Sequence, residues 1–83
     1  MPAKNYIISL DIGTTHVKAL LTDLKARKID VVLQDYRILY PGPGMVEQDP
    51  DELLEATINS ISELILKNNI KSNDRISIKS KLS

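Results

Sequence analysis

The pattern of apolar and polar positions predicts strands in the first half of the chain. A short β-branched run covers Tyr6 to Leu10, and a second apolar run covers Val17 to Thr22 after a turn at Asp11 to Thr15. We predict that the first run is a strand covered on both faces, because it is continuously apolar and bounded by a glycine. A polar connection at Leu24 to Lys28 leads to a third strand-like stretch, Ile29 to Leu39.

The third stretch shows the alternation of a half-buried strand, with interruptions. Three apolar residues alternate with three polar ones: Val31, Leu33 and Tyr36 against Asp30, Gln34 and Arg37. Because the period of two is not kept throughout, we expect a bulge or a shortened strand here.

A loop and a helix start follow the third strand. Pro41 to Gly44 contains two prolines, which fix φ and lack a donor, and two glycines, which give turn freedom, so this segment is predicted to be a loop. Asp49 suits the N-cap of a helix, and Pro50 suits its first position. Glu52 stands where a capping-box glutamate would reach back to the cap.

The helix carries one apolar stripe at helical spacing, which predicts that it packs on a sheet. The stripe consists of Leu54, Ile58, Ile61 and Ile65, with Leu53, Thr57 and Leu64 beside it. Asn68-Asn69 is predicted to end the helix, and Arg75 to Lys79 to begin a fourth strand. The predicted fold class is therefore α/β, with the order β-β-β-α-β in one small domain of 83 residues.

Composition narrows the classes of function. Eleven basic residues balance eleven acidic ones, which argues against a nucleic-acid or anionic membrane partner. Without cysteine, the chain has neither a disulfide framework nor a thiolate metal site, and its one histidine cannot build a zinc site alone. It has no apolar run of the ~20 residues that a membrane span needs. Its start does not resemble a secretory signal, so we expect a cytoplasmic protein.

The segment from Leu10 to Lys18 has the residues of a phosphate-binding turn. Gly13 lets an oxyanion approach the backbone closely, and Thr14 and Thr15 add hydroxyl donors. Asp11 is suited to magnesium, directly or through water, and Lys18 to a terminal phosphate. Together they predict a site for the β- and γ-phosphates of a nucleotide.

This spacing is not specific by itself. The segment lacks the second glycine and the Lys-Ser/Thr pair of a Walker A motif. An alternative is a plain hairpin turn in which Gly13 has a positive φ and Asp11 accepts hydrogen bonds from the turn amides.

Two segments together resemble a known family. The stretch Tyr6 to Lys18 resembles the first phosphate motif of the actin-like ATPase superfamily. The stretch Pro43 to Pro50 resembles the Gly-x-x-Glu-Gln-Asp-Pro segment that precedes the first helix of FGGY carbohydrate kinases. The resemblance covers about residues 5 to 76. It implies a partial ribonuclease H-like domain and transfer of the γ-phosphoryl group of ATP to a sugar or sugar acid.

The resemblance also implies roles for single residues. Asp11 would help to place Mg²⁺, while Gly13, Thr14 and Thr15 would line the phosphates of ATP. Lys18 stands at a position that is commonly basic in the family. His16 replaces a small or hydroxyl residue, and we expect a partly exposed strand residue there.

The expected catalytic base of the family lies in its second domain, beyond Ser83. We therefore expect this chain to be the N-terminal part of the first domain, truncated before the rest of the active site. By itself it should have no sugar kinase activity. The lysines between residues 71 and 81 depart from the apolar strand that the family shows there. The sheet and helix are expected to expose apolar surface, which favours self-association.

Three hypotheses remain open from the sequence. The first is a fragment of a carbohydrate kinase, of gluconate or xylulose type rather than glycerol type, a preference that rests on likeness around residues 43 to 66. The second is another actin-like ATPase, which would lack the segment Glu47 to Pro50. The third is a non-catalytic small α/β binding module.

Overall fold

The computed structural model describes residues 2–39, 42–44 and 47–82, which form two sheets and a helix. The elements in chain order are β1 (Asn5–Ile12), β2 (His16–Thr22), β3 (Lys28–Asp35), β4 (Ile38–Leu39), β5 (Glu47–Gln48), α1 (Pro50–Lys67) and β6 (Arg75–Leu82). The predicted order of three strands, helix and strand is confirmed. The prediction lacked the short antiparallel pair of β4 and β5.

The larger sheet has the strand order β3-β2-β1-β6. β1 and β2 form an antiparallel hairpin, β3 continues it antiparallel to β2, and β6 lies parallel to β1. A parallel neighbour needs a crossover connection, and α1 lies in the connection that leads to β6. β6, the last strand in the sequence, therefore lies at the edge of the sheet beside β1, the first strand.

The core lies between α1 and one face of the sheet, which we call the core face. Val17, Ala19 and Leu21 of β2 are fully buried there, and Ile8 of β1 is as well. α1 packs on β2 and β3 and contributes Leu64, which is also fully buried. The alternate residues of each strand point to the opposite side, which we call the open face.

The expectation that β1 is covered on both faces is wrong for the described chain. Its core face is buried at Ile8 and Leu10, but Ile7 and Ser9 on the open face are only half-buried. No element of the described residues packs on the open face of this strand, because α1 lies on the core face.

The inward positions of β3 differ from the predicted alternation. Val32 is the buried residue, whereas Leu33 is 64% exposed on the open face. Residues 31 to 33 are all apolar. The alternation of apolar and polar residues therefore could not predict which side of β3 faces the helix. The expected bulge or shortening is confirmed, since the pairing of β3 with β2 shifts register between Leu21 and Thr22 and β3 ends at Asp35.

The helix packs on the sheet as predicted, and Leu53 and Ile61 contact the core, but the buried side is shifted from the centre of the predicted stripe. Ala56, Ser60 and Leu64 are buried, while Leu54 and Ile58 of the predicted stripe are 59% and 53% exposed. The small side chains at 56 and 60 face the sheet and let the helix axis approach it closely. Leu54 and Ile58 then lie on the side of the helix that faces away from the sheet. The apolar arc of α1 is thus wider than the surface that the described sheet covers.

The predicted helix boundaries are confirmed. The Asp49 carboxylate accepts hydrogen bonds from the amides of Asp51 and Glu52, and Pro50 opens the helix. The capping-box role of Glu52 is wrong, because its carboxylate accepts a 2.9 Å hydrogen bond from the Arg37 guanidinium. α1 ends at Lys67 with Asn68 as its C-cap, as predicted.

The last strand is longer than predicted and includes the lysine-bearing tail. β6 pairs with β1 along its whole length, from the register pair of Asn5 and Arg75 to that of Ile12 and Leu82. The predicted loop at Pro41 to Gly44 is confirmed for residues 42–44, whereas Pro41 lies outside the described residues. In the described part of the chain, α1 is too polar to be a membrane-spanning helix.

Candidate phosphate-binding site

The predicted phosphate-binding turn is the tip of the β1–β2 hairpin. β1 ends at Ile12 and β2 begins at His16, so the turn is shorter than the predicted range of Asp11 to Thr15. The Gly13 amide donates a 2.8 Å hydrogen bond to the His16 carbonyl, which closes the hairpin. Thr14 and Thr15 form the exposed tip.

Gly13 is needed because the His16 side chain lies close to its Cα, and not because of its backbone angle. Its φ is not positive, so the alternative of a plain turn with a left-handed glycine at this position is wrong. A Cβ placed on Gly13 would lie 3.2 Å from His16 Cε1 and 3.4 Å from the His16 carbonyl oxygen. The His16 imidazole therefore packs over Gly13, and a larger residue would displace it.

The donors available to an anion are those of Thr14 and Thr15. The Gly13 amide is already used within the hairpin. In residues 2–39, 42–44 and 47–82, no hydrogen bond uses the amide or hydroxyl of either threonine. Two adjacent residues thus offer amides and hydroxyls to solvent at one point of the surface, an arrangement that suits oxyanions.

Tyr36 holds the tip from below and was missed by the sequence reasoning. The buried Tyr36 side chain donates from its hydroxyl to the Gly13 carbonyl. Its amide donates a 2.9 Å hydrogen bond to the Thr15 carbonyl. An aromatic residue that breaks the alternation of a strand is the signal that could have indicated this role.

Asp11 lies on the open face, two residues before the glycine. Its side chain is half-buried, and its Oδ1 is a buried oxygen without a hydrogen-bond partner in the described part of the chain. Asp11 does not accept from the turn amides, so the second feature of the plain-turn alternative is also wrong. An unused carboxylate oxygen beside exposed donors is a suitable ligand for a hard cation.

Lys18 lies directly across the hairpin from Asp11, since the two are register partners. Both line a cavity of about 370 Å³ on the open face. The other residues around this cavity are Ser9, Leu10, Leu20, Lys79, Ser80 and Lys81. The fold thus brings together Asp11 and Lys18 as predicted, with the threonine tip at the end of the same hairpin. Lys79 and Lys81 line the same cavity and were not among the predicted residues.

The described residues offer a cation only a partial ligand set. No three His, Cys, Asp or Glu side chains among them are grouped closely enough to hold a metal ion. A magnesium ion at Asp11 would therefore take most of its oxygen ligands from water and phosphate, as magnesium does in many nucleotide sites. The buried, unpartnered Oδ1 of Asp11 fits that role.

Comparison with protein families identifies one matching family. Residues 6–80 match the N-terminal domain of the FGGY family of carbohydrate kinases. The chain is 37% identical over 68 residues to a glycerol kinase from Petrotoga mobilis, covering 82% of this chain. It spans only 14% of the length of that relative.

Solved structures show the same arrangement of strands and helix. A gluconate kinase from Lactobacillus acidophilus matches with a TM-score of 0.78 and 30% identity, covering 95% of this chain and 16% of that one. A xylulose kinase from the same organism matches with a TM-score of 0.77 and 31% identity, covering 93% and 16%. These matches confirm the predicted fold class, an α/β part of a ribonuclease H-like (actin-like ATPase) domain.

Proposed function

Because the chain belongs to the FGGY family of carbohydrate kinases, we propose that it supplies the first phosphate-binding loop of an ATP-dependent sugar kinase. It would form the N-terminal part of the first domain of that enzyme. The reaction is transfer of the γ-phosphoryl group of ATP to a hydroxyl of a sugar or sugar acid.

One observation carries this proposal. The hairpin tip presents the unused amides and hydroxyls of Thr14 and Thr15 within a few residues of Asp11, whose Oδ1 is also unused. Donors for phosphate and an oxygen ligand for a cation thus stand on one hairpin. Phosphoryl transfer depends chiefly on positioning and on stabilising charge, which such a loop supplies.

Each residue has a separate task in this proposal. Thr14 and Thr15 bind oxygens of the β- and γ-phosphates, and Gly13, which has no side chain, lines the same phosphates. Lys18 reaches the terminal phosphate as a mobile positive charge. Asp11 holds Mg²⁺ directly or through water, and the ion supplies neutralisation of phosphate charge. None of the described residues is assigned as the acceptor of the hydroxyl proton.

The substrate class stays broad in this proposal. The matched proteins are named for glycerol, gluconate and xylulose. The preference for a gluconate- or xylulose-type substrate rests on likeness around residues 43 to 66. No described residue of that stretch lines the open-face cavity.

Nucleotide titration followed by amide chemical shifts tests the proposal. We expect MgATP to shift the amides of residues 11 to 18 and to leave the far end of the sheet unchanged. The paired change Thr14→Ala and Thr15→Ala should weaken binding about fivefold to 150-fold, since two net hydrogen bonds together contribute roughly 1–3 kcal/mol. Ser72→Ala, another exposed hydroxyl, is the matched control.

Two results would contradict the proposal. The first is an absence of shifts at residues 11 to 18 at millimolar MgATP, which would favour the non-catalytic binding module. The second is equal binding by the threonine variant and the Ser72→Ala control, which would place the nucleotide elsewhere.

A further inference from the structure

We propose that Lys79 and Lys81 extend the phosphate site across the open face of the sheet, so that three lysines surround one phosphate chain. The inference rests on the proposed function and adds two residues to its site. It assigns a ligand-binding role to the part of β6 in which the sequence departs from an apolar strand.

The strand register places Lys81 in one row with Asp11 and Lys18, and Lys79 in the next row on the same face. Lys81 on β6 and Lys18 on β2 are both register partners of Asp11 on β1, one on each side. Lys79 is the partner of Ser9, one step further along the same face. Neighbouring strands are roughly 4.8 Å apart, so long lysine side chains from these two rows reach a common ligand.

Burial shows which face the two rows occupy. Val17 and Ala19 on β2 are fully buried under α1, so Lys18 between them points to the open face. The register carries the same orientation to Asp11 and to Lys81. On β6 the apolar residues Ile76 and Ile78 fall on the core face, and both lysines fall on the open one.

The charge of this cavity is not balanced by the described protein. Three lysines and one aspartate line it, which leaves two positive charges in excess. None of the three lysines makes an ion pair within the described ranges; the ion pairs there use Arg27, Arg37 and Lys67. Ammonium groups on both sides of one carboxylate favour a ligand with several negative charges over one with a single charge.

The space fits such a ligand. The cavity is about 370 Å³, the volume of roughly a dozen waters at about 30 Å³ each. Asp11 and Lys18, which the proposed function assigns to Mg²⁺ and phosphate, line it together with Lys79 and Lys81. The rival explanation is that lysines on an edge strand only prevent strand-to-strand aggregation.

Charge-removing variants separate the two explanations. The pair Lys79→Gln and Lys81→Gln is compared with Lys25→Gln and Lys28→Gln, which removes the same charge from another exposed segment. The probes are inorganic tripolyphosphate without magnesium, MgATP and gluconate, followed by amide shifts. We expect the β6 pair to weaken tripolyphosphate binding about tenfold, with shifts at residues 79 to 81, and the control pair to weaken it less than about twofold.

The possible results test the lysine site separately from the proposed nucleotide-binding function. Equal weakening by both pairs overturns the lysine site, even when MgATP still shifts residues 11 to 18. Tripolyphosphate shifts at 79 to 81 that disappear in the β6 pair support the site, even when MgATP leaves the hairpin tip unchanged. Binding of gluconate but not of tripolyphosphate overturns it, and so does binding of neither.

Discussion

At the scale of single residues, Tyr36 has the largest influence on the candidate site. It is buried, and it bonds the Gly13 carbonyl through its hydroxyl and the Thr15 carbonyl through its amide. A turn whose own amides are partly unused has few internal restraints. The position of the threonine tip therefore depends on Tyr36 as well as on the hydrogen bond between Gly13 and His16 that closes the hairpin.

We predict that Tyr36→Phe lowers the free energy of unfolding by about 1 kcal/mol, because the Gly13 carbonyl loses a buried hydrogen bond. Urea denaturation measures the change. Tyr6→Phe is the control, since the Tyr6 hydroxyl makes no hydrogen bond in the described part of the chain. A similar loss in both variants would show that the Tyr36 hydroxyl does not restrain the tip.

At the scale of elements, the sequence predicts those parts whose signals are local. The β1–β2 hairpin and the start of α1 follow from β-branched runs and from an Asp-Pro cap, and both are confirmed. The predicted buried side of β3 was wrong and that of α1 was shifted, because apolar residues occupy both sides and packing against neighbours decides between them. Asp11 and Lys18 were predictable as hairpin neighbours, whereas Lys81 joins them only through the parallel pairing of β6.

The β2–β3 turn contains a strained residue. Ala26 has a φ of 62°, in the left-handed region, and the Asp23 carboxylate accepts from the amides of Lys25 and Arg27 around it. We predict that Ala26→Gly raises the free energy of unfolding by about 1 kcal/mol, because glycine adopts this angle without a Cβ clash. Thermal and urea unfolding measure the gain.

Asn69 gives a matched control for this prediction. It also has a left-handed backbone, with a φ of 53°, but asparagine tolerates that region better than alanine does. Asn69→Gly should therefore stabilise the protein less than Ala26→Gly. The reverse order would mean that the carboxylate of Asp23, and not the backbone angle, determines the stability of the turn.

At the scale of the whole molecule, Asp74 joins the two strands that lie furthest apart in sequence. Its carboxylate accepts from the Lys4 amide at 2.9 Å and from the Lys71 amide at 2.8 Å. These hydrogen bonds, that from Lys4 first, hold the pKa of Asp74 below its usual value of 3.8. A pKa that is lower in the folded state gives stability above pH 3.8, which is lost as the pH falls through the folded pKa.

We predict that Asp74→Asn lowers the free energy of unfolding at pH 7. We also expect the free energy of unfolding of this variant to fall less than that of the unchanged protein as the pH drops below 4. Urea unfolding at a series of pH values measures both effects. Asp35→Asn, which changes an exposed carboxylate without a hydrogen bond in the described chain, should keep the steep acid loss. An unchanged acid profile in Asp74→Asn would assign that loss to other carboxylates.

The whole molecule also leaves apolar side chains in contact with solvent, among them Leu54, Ile58 and the 81%-exposed Leu82. The expected self-association through such surface stays a prediction.

Tyr36 and Arg37 give the molecule an internal linkage. The first residue is bonded to the hairpin tip, and the second forms an ion pair with Glu52 in the first turn of α1. Two adjacent residues thus connect the hairpin tip to the first turn of the helix. We therefore expect a ligand that displaces the tip to shift the amide signals of the first turn of α1 as well.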